Sequence, residues 1–287
     1  VKHNSAAYIH LVAELEKRAF ADRAEYLGDP DFAPVPVQAL LEPGYLQRRA
    51  EGVNAEAITI GVSPGLETFE DAAGKDAAQP YESVQTTHFS ILDADGNAVA
   101  LTYTQNWEFG SGVVVEGAGF LLNNQMNEFS AKPGVPNAFG VVGKDMNAIA
   151  PGKRMLSSMS PTLLLRDGEI VAVVGTPGGS TIFTSVMQVL LNVLDFGMSA
   201  EAAVSATRFH HQLPAERLIR FDPGREIALD VLSRLSTLGY RLEPNSWGPL
   251  GDVQLITVDH RGRVDAAADP RGRGEALVFA VPDEGKP

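Results

Sequence analysis

Apolar residues recur at helical spacing near the start of the chain. The positions that would share one face are Ile9, Val12, Leu15, Ala19 and Phe20. Asn4 and Ser5 are suited to cap this helix, and Gly28 marks its end. The charged residues of the same stretch are expected to face outward, and they are Glu14, Glu16, Lys17 and Arg18. The pattern predicts an amphipathic helix, followed by a short helix around residues 43 to 51.

The part of the chain between residues 29 and 85 carries repeated prolines. Within it, residues 61 to 79 are polar, acidic and rich in turn-forming residues. Such a composition is typical of an exposed, mobile segment.

From Thr87 onward the hydrophobic period becomes two, which is the period of a strand. Three hairpins are predicted, with turns at residues 93–97, 167–168 and 259–263. Helices are predicted over residues 180–196, just after Ser199, and over residues 226–238. Hairpins kept apart from helices favour an α+β fold, in which helices pack on antiparallel sheets.

Composition excludes several classes of function. The 287 residues are 44% hydrophobic, which is enough for a buried core, and we expect one domain. The net charge of −13 repels nucleic acid and anionic lipid. Without cysteine the chain has no disulfide, zinc–thiolate site or cysteine nucleophile, and the adjacent His210 and His211 are not spaced for a metal. The longest apolar run, at residues 186–194, is too short to span a membrane. A nucleophile in this chain is therefore an oxygen or an amine.

The first hairpin brings two threonines together. A three-residue loop at 94–96 places Thr86 opposite Thr104, whereas a two-residue loop places Thr87 opposite Thr104 and Thr86 one step away. Asn106 would project from the same face of the strand as Thr104. A cross-strand pair of threonines is an ordinary feature of sheets and needs no function. The polar cluster of Thr86, Thr104 and Asn106 is what suggests a site.

Two other stretches are suited to a negatively charged group. Residues 175–180 lead from a strand through Gly178 and Gly179 into an apolar helix, so successive backbone amides would point beyond its N-terminus. The Lys-Ser/Thr ending of a phosphate loop is absent, and a plain tight turn is the alternative. Ser157 and Ser158 could bind a carboxylate or belong to an ordinary loop.

Several motifs occur in the order seen in γ-glutamyltransferases. They are QTTHFS at 85–90, LNNQM at 122–126, FSAKPG at 129–134, LSSMSPT at 156–162, PGGS at 177–180 and RFHHQ at 208–212, with ADR at 21–23 and YLGDPDF at 26–32 upstream. Because these motifs are ordered and spread over nearly the whole chain, the sequence specifically resembles this family.

The resemblance implies the fold of an N-terminal nucleophile hydrolase, an αββα sandwich of two stacked antiparallel sheets between helical layers. It implies a zymogen that cuts itself at the bond between Gln85 and Thr86. Residues 1–85 would be the C-terminal tail of the large subunit, including the mobile segment, and residues 86–287 the small, catalytic subunit. The N-terminal part of the large subunit would be missing, so the sandwich would be incomplete.

The resemblance also implies how the protein exists in the cell. The two subunits would pair as a heterodimer after cleavage, acting on small molecules without a cofactor, a metal, a nucleic-acid partner or a membrane span. The location would be periplasmic or secreted, with the leader peptide outside this sequence.

By resemblance, Thr86 is the nucleophile. Cleavage would free its α-amino group, whose reference pKa of about 7.7–8.0 suits a general base at neutral pH. Thr104 would hold the Thr86 hydroxyl, and the amides of Gly178 and Gly179 would form the oxyanion hole.

The substrate-binding residues carried over from the family are Ser157 and Ser158 for the α-carboxylate, and Asn106, Gln125 and Glu128 for the α-amino group. The implied reaction is transfer and hydrolysis of the γ-glutamyl group of glutathione and related amides through an acyl-enzyme, with water, amino acids or peptides as acceptors. A large-subunit arginine that pairs with the donor carboxylate would lie upstream of Val1.

Three residues depart from the family pattern. Glu128 replaces the usual aspartate and adds a methylene, Phe139 replaces a tyrosine often found in the lid of bacterial members, and Trp107 adds bulk beside Asn106. Two alternatives follow. One is an acylase of the same architecture, acting on glutaryl or β-lactam side chains or on poly-γ-glutamate. The other is an unprocessed, non-catalytic binding protein.

Overall fold

The computed structural model describes residues 1–66, 86–225 and 227–280. Gln85, on one side of the expected cleavage bond, lies outside the described residues, as do residues 67–79 of the segment predicted to be mobile. Both of these interpretations therefore stay predictions.

The described chain contains six α-helices and nine strands. The helices are α1 (Ala6–Tyr26), α2 (Val37–Leu40), α3 (Pro43–Glu51), α4 (Ile182–Leu194), α5 (Ala200–Ser205) and α6 (Leu229–Leu238). The strands are β1 (Thr86–Leu92), β2 (Ala98–Thr104), β3 (Thr162–Arg166), β4 (Glu169–Gly175), β5 (Phe209–His210), β6 (Leu218–Phe221), β7 (Arg241–Pro244), β8 (Gln254–Val258) and β9 (Val264–Ala268). The three hairpins predicted from alternation are confirmed as β1–β2, β3–β4 and β8–β9.

The chain divides into two compact units where the composition predicted one domain. The α1 unit comprises the described parts of Val1–Ser83, Gln105–Ser158 and Thr207–Leu250. The hairpin unit comprises the described parts of Val84–Thr104, Met159–Ala206 and Gly251–Pro287. Because the chain passes from one unit to the other several times, the units do not follow the proposed division at residues 85 and 86, which stays a prediction.

The hairpin unit is layered. Strands β3, β4, β8 and β9 form one antiparallel sheet in the order β3-β4-β8-β9. Helices α4 and α5 pack against this sheet over a core that includes Ala172, Val174 and Leu255. The β1–β2 hairpin contacts β4 and β8, and Gly175 of β4 approaches the His88 ring of β1. Since successive residues of a strand point to opposite faces, the hairpin and the helices lie on opposite sides of the sheet.

The two faces of the β1–β2 hairpin differ in chemistry. Towards the four-stranded sheet lie polar side chains, with His88 buried among them. The opposite face carries exposed apolar residues, namely Phe89, Ile91, Val99, Leu101 and Tyr103. The hairpin therefore places Thr86, His88 and Thr104 on the face inside the layered unit, whereas Thr87 is exposed.

The α1 unit contains the predicted N-terminal helix. The Ser5 side chain caps α1 by accepting a hydrogen bond from the Tyr8 amide, as the sequence predicted. Helix α1 contacts α3 and α6. Strands β5, β6 and β7 form a small sheet in which β6 and β7 are parallel, so the expectation of antiparallel sheets is wrong at this pair. Helix α6 lies between the two strands in the chain and provides the crossover that parallel strands need.

Charged residues of α1 are buried, which contradicts the expectation that they face outward. Glu14 and Lys17 are 0% exposed, and Glu16 and Arg18 are also buried. Glu14 accepts hydrogen bonds from Lys17 at 2.7 Å and from Arg18 at 2.9 Å. Burial alone would raise the pKa of Glu14, but these bonds outweigh it and hold the pKa at about 2. Ion pairing therefore lets Glu14, Lys17 and Arg18 be buried on a face that their charges assign to solvent. Glu16 is buried without an ion pair among the described residues, and burial raises the pKa of its carboxyl.

No helix in the described part of the chain is both long enough and apolar enough to cross a bilayer.

The close approach of β1 to β4 gives a test of the layering. A side chain at Gly175 would overlap the His88 imidazole, so Gly175→Ala should lower the free energy of unfolding by about 1–3 kcal/mol. Gly52→Ala is a matched control, because its Cβ would meet no atom closer than 3.5 Å. Urea unfolding measures both variants, and equal effects would contradict the packing described here.

Candidate functional site

The first threonine of β1 lies opposite the last threonine of β2. The register pairs Thr86 with Thr104, as a three-residue loop predicts. The Thr86 hydroxyl donates a hydrogen bond to the Thr104 hydroxyl, with 2.9 Å between the two oxygens. Both side chains are half-buried. A side-chain oxygen is thus held at the end of a strand pair by a second hydroxyl.

His88 lies one pair further along the polar face, and its role was missed in the sequence. Its Nδ1 is 2.8 Å from the Thr102 hydroxyl and its Nε2 is 3.1 Å from the Ser90 hydroxyl. Burial lowers the pKa of His88 to about 4, so the ring is neutral at pH 7. The alternation of β1 places His88 on the same face as Thr86, and this is the sequence feature that could have indicated its position beside the threonine pair. The hydroxyl pair therefore lies beside a neutral, hydrogen-bonded imidazole.

The glycine loop before α4 has a backbone that other residues rarely adopt. Gly178 has φ 141° and Gly179 has φ 56°. The Gly178 carbonyl accepts hydrogen bonds from both the amide and the hydroxyl of Thr181, at 3.0 and 2.8 Å. A short 3-10 turn, Gly179–Thr181, follows, so α4 begins at Ile182 rather than at Ser180. This loop leads directly into a helix N-terminus, where backbone amides favour a negative oxygen.

Neighbouring residues fix the glycine loop. The Thr176 hydroxyl donates to the Pro177 carbonyl at 2.7 Å and accepts from the Asp252 amide at 2.7 Å. Pro177 and Thr86 line the same cavity in the hairpin unit, of about 400 Å³. The candidate nucleophile and the start of the glycine loop therefore open on one space.

In the α1 unit, Asn106 and Gln125 are both buried, at 3% and 7% exposure. Asn106 has a left-handed backbone, with φ 76°, and its amide donates to Asn127 Oδ1 at 2.7 Å. The Nε2 end of the Gln125 amide has no hydrogen-bond partner in the part of the chain that the structure describes. A buried amide without a partner is costly, and a polar ligand would remove that cost.

Glu128 ends a 3-10 turn, Gln125–Glu128, and is half-buried. Burial raises the pKa of Glu128 to about 7, although the positive charge of Arg23 acts in the opposite direction. The Asn147 amide donates to the Glu128 carbonyl at 2.8 Å and accepts from the Leu156 amide at 3.0 Å. One buried asparagine thus links the Glu128 turn to the segment that carries the two serines.

Arg23 contacts this segment. Its Nη2 donates a hydrogen bond to the Ser158 hydroxyl at 3.2 Å. Desolvation lowers the pKa of Arg23 to about 10, and Glu128 partly offsets it, so the guanidinium stays charged at neutral pH. Arg23 belongs to the ADR motif at residues 21–23, but local sequence patterns predict no role for it. Ser157 lies next to Ser158 and is half-buried.

The other residues singled out in the sequence make packing and hydrogen-bond contacts within the α1 unit. The rings of Trp107 and Phe139 stack with 6.1 Å between centroids, and the Phe139 carbonyl accepts from Gln212. His210 and His211 are buried in the α1 unit, and desolvation lowers the pKa of these histidines to about 3 and about 4. His210 contacts Gln212 and His211 contacts the Leu218 carbonyl, both at 2.8 Å.

The predicted site residues therefore fall into two groups. Thr86, Thr104, Gly178 and Gly179 belong to the hairpin unit, while Asn106, Gln125, Glu128, Ser157 and Ser158 belong to the α1 unit.

The known proteins that are similar to this chain indicate one family. The family model for gamma-glutamyltranspeptidase matches residues 1–279. The chain is 58% identical over 280 residues to the glutathione hydrolase proenzyme of Pseudomonas aeruginosa, a match that covers 97% of this chain and 47% of that protein. The chain spans about half the length of the curated relatives it matches.

Solved structures extend the comparison to the fold. The gamma-glutamyltranspeptidase from Pseudomonas nitroreducens complexed with L-DON is 57% identical, with a TM-score of 0.64, over 68% of this chain and 100% of that chain. A cephalosporin acylase from Bacillus halodurans is 26% identical, with a TM-score of 0.78, over 98% of this chain and 46% of that chain. The fold is the α+β fold of N-terminal nucleophile hydrolases, as expected. This chain belongs to the γ-glutamyltranspeptidase family.

Proposed function

We propose that the protein containing this chain transfers and hydrolyses the γ-glutamyl group of glutathione and related γ-glutamyl amides. The reaction proceeds through an acyl-enzyme on Thr86 after self-cleavage between Gln85 and Thr86. The observation that carries the proposal is the hydrogen bond of 2.9 Å from the Thr86 hydroxyl to the Thr104 hydroxyl, at the residue where β1 begins.

Self-cleavage supplies the base that the threonine needs. The freed α-amino group of Thr86 takes the hydroxyl proton as Oγ1 attacks the γ-carbonyl carbon, and it returns that proton to the leaving amine as the C–N bond breaks. The amides of Gly178 and Gly179 stabilise the oxyanion. Water or an amino group then attacks the ester and releases glutamate or a new γ-glutamyl amide.

The residues of the α1 unit are proposed to recognise the amino-acid head of the donor. Ser157 and Ser158 receive the α-carboxylate, and Asn106, Gln125 and Glu128 receive the α-amino group. Among the described residues the Nε2 end of Gln125 has no hydrogen-bond partner, which supports this assignment. An ammonium group needs an acceptor, and rotation of the amide places its oxygen at that position without changing its shape.

Cleavage would leave residues 1–85 in the large subunit and residues 86–287 as the small subunit, which stay together as a heterodimer. We also propose a periplasmic or secreted location. Fractionation of cells that express the whole gene tests the location, and gel filtration of the cleaved protein tests the pairing.

An acylase for glutaryl side chains is the alternative that the longer Glu128 favours, since such a donor has no α-amino group to recognise. A γ-glutamyl anilide and a glutaryl anilide differ only in that group. Faster turnover of the γ-glutamyl anilide supports the transferase, and faster turnover of the glutaryl anilide supports the acylase.

Removing the nucleophile should abolish both chemical steps. In the protein expressed from its whole gene, Thr86→Ala should leave the chain uncut and inactive. Thr87→Ala is the matched control, because the exposed neighbouring threonine has no proposed role and should leave both steps intact. Mass spectrometry after long incubation measures cleavage. An uncut wild-type chain would contradict the enzyme and support a binding protein.

Thr104→Ala should slow self-cleavage while the fold is kept. Loss of one neutral hydrogen bond to the nucleophile corresponds to about a 2- to 10-fold lower rate. Thr104→Ser retains the hydroxyl and should restore most of the rate. The fraction of cut chain over time gives the rate, and thermal unfolding checks the fold. A wild-type rate in Thr104→Ala would exclude the assigned role.

Affinity for the donor should depend on pH through Glu128. Its pKa of about 7 means that the carboxylate loses its charge as the pH falls below 7. The KM for a γ-glutamyl anilide should therefore rise about tenfold between pH 8 and pH 6. The glutaryl anilide, which has no ammonium group, controls for every other titration. In Glu128→Gln, the KM values of the two substrates should change with pH in the same way. If they still differ as in the wild type, Glu128 does not recognise the α-amino group.

A further inference from the structure

Arg23 occupies a place that the proposed reaction does not yet use. It lies in the last turn of α1, and its guanidinium reaches Ser158, 135 residues away in the chain. Within the described part of the chain, no carboxylate lies within 4 Å of this guanidinium. The neighbouring acids of α1 are engaged elsewhere, Asp22 with Arg49 and Glu25 with Lys144. A desolvated cation therefore points at the serine segment instead of at a counterion.

The contact with Ser158 determines what the serine can do. A guanidinium has only donors, so the Ser158 oxygen acts as the acceptor. A hydroxyl that accepts from a cation can at the same time act as a donor through its own proton. Such a proton suits an anionic ligand, and the nearby positive charge makes the hydrogen bond to that ligand stronger.

Arg23 also acts on Glu128, through its charge rather than through a hydrogen bond or an ion pair. Arg23 is the charged group whose field opposes the effect of burial on the Glu128 carboxyl, and Asn147 holds the Glu128 backbone against the serine segment. Arg23 thus acts on both ends of the pair of groups assigned to a zwitterionic amino-acid head.

We propose that Arg23 is a positioning residue for donor recognition, which directs the Ser158 hydroxyl to the α-carboxylate and stabilises the Glu128 carboxylate that meets the α-amino group. This inference rests on the proposed function. According to this proposal, Arg23 affects recognition of the α-amino acid head of the substrate and not of the leaving group.

Steady-state kinetics with a γ-glutamyl anilide test the inference in the protein expressed from its whole gene. Arg23→Gln should raise the donor KM about tenfold or more, because the charge-assisted hydrogen bond to Ser158 supports substrate binding. The kcat should change much less, since that support is the same in the bound substrate and in the transition state. Its self-cleavage should match the wild type, since cutting the chain uses no free amino-acid head. Arg23→Lys, which keeps the charge without the planar fork, should show a smaller rise in KM.

A double-mutant cycle separates positioning from general damage. If Arg23 acts through Ser158, the combination of Arg23→Gln with Ser158→Ala should raise KM by clearly less than the product of the two single effects. Multiplicative effects, or a wild-type KM in Arg23→Gln, would overturn the inference. Should Arg23→Gln fail to accumulate, the same cycle run with Arg23→Lys decides the question.

Arg49→Gln is the matched control. It removes the hydrogen bonds from Arg49 to Asp22 and to the Arg18 carbonyl on the same helix, so it should lower the melting temperature without raising the donor KM. An equal rise in KM would mean that loosening α1 suffices, which would overturn the role of Arg23. A wild-type protein that neither cuts itself nor turns over the anilide would instead refute the proposed function.

Discussion

The register of the β1–β2 hairpin is the constraint on which the proposed chemistry depends. The turn is fixed by Asp93, whose amide donates to the Asn97 carbonyl at 3.0 Å and whose carboxylate accepts from the Asn97 amide at 2.8 Å. Once that turn is closed, the strands pair residue by residue, and the register ends with Thr86 opposite Thr104. A slip of one residue would turn Thr86 and His88 towards the exposed apolar face. The geometry of a hydroxyl pair is thus set at the far end of its strands.

Helix α1 positions side chains of the α1 unit, and buried charged residues hold the helix in place. Glu14 and Lys17 pair with each other within the helix and also bond to the Thr59 backbone, whereas Arg23 is directed at Ser158. Buried ion pairs contribute little net stability, but they tolerate few alternative arrangements. A helix held by such pairs places the next charged side chain with little freedom. The proposed recognition of a zwitterionic head would therefore depend on this rigidity as well as on the residues in contact with the ligand.

Local patterns predicted the hairpins, the cap at Ser5 and the pairing of Thr86 with Thr104, because alternation and turn chemistry act over a few residues. They failed where the partner is distant in the chain. The charge pattern of α1 assigns Glu14 and Lys17 to solvent, and this is wrong because their burial comes from tertiary packing. The parallel pair β6–β7 depends on a crossover that no strand pattern contains. Arg23 was missed for the same reason, since its contact with Ser158 joins positions 135 residues apart.

The position of His88 bears on why the proposed reaction uses a terminal amine as the base. A histidine one pair away from a threonine nucleophile would ordinarily be the first candidate. In this sheet both ring nitrogens of His88 are directed at hydroxyls other than Thr86, namely those of Thr102 and Ser90. Its lowered pKa of about 4 also makes it a weak proton acceptor near pH 7. A ring that is committed to packing against Gly175 cannot turn towards Thr86 without disturbing two strands. The α-amino group that cleavage would free on Thr86 needs no such movement, because it belongs to the same residue as the hydroxyl it activates.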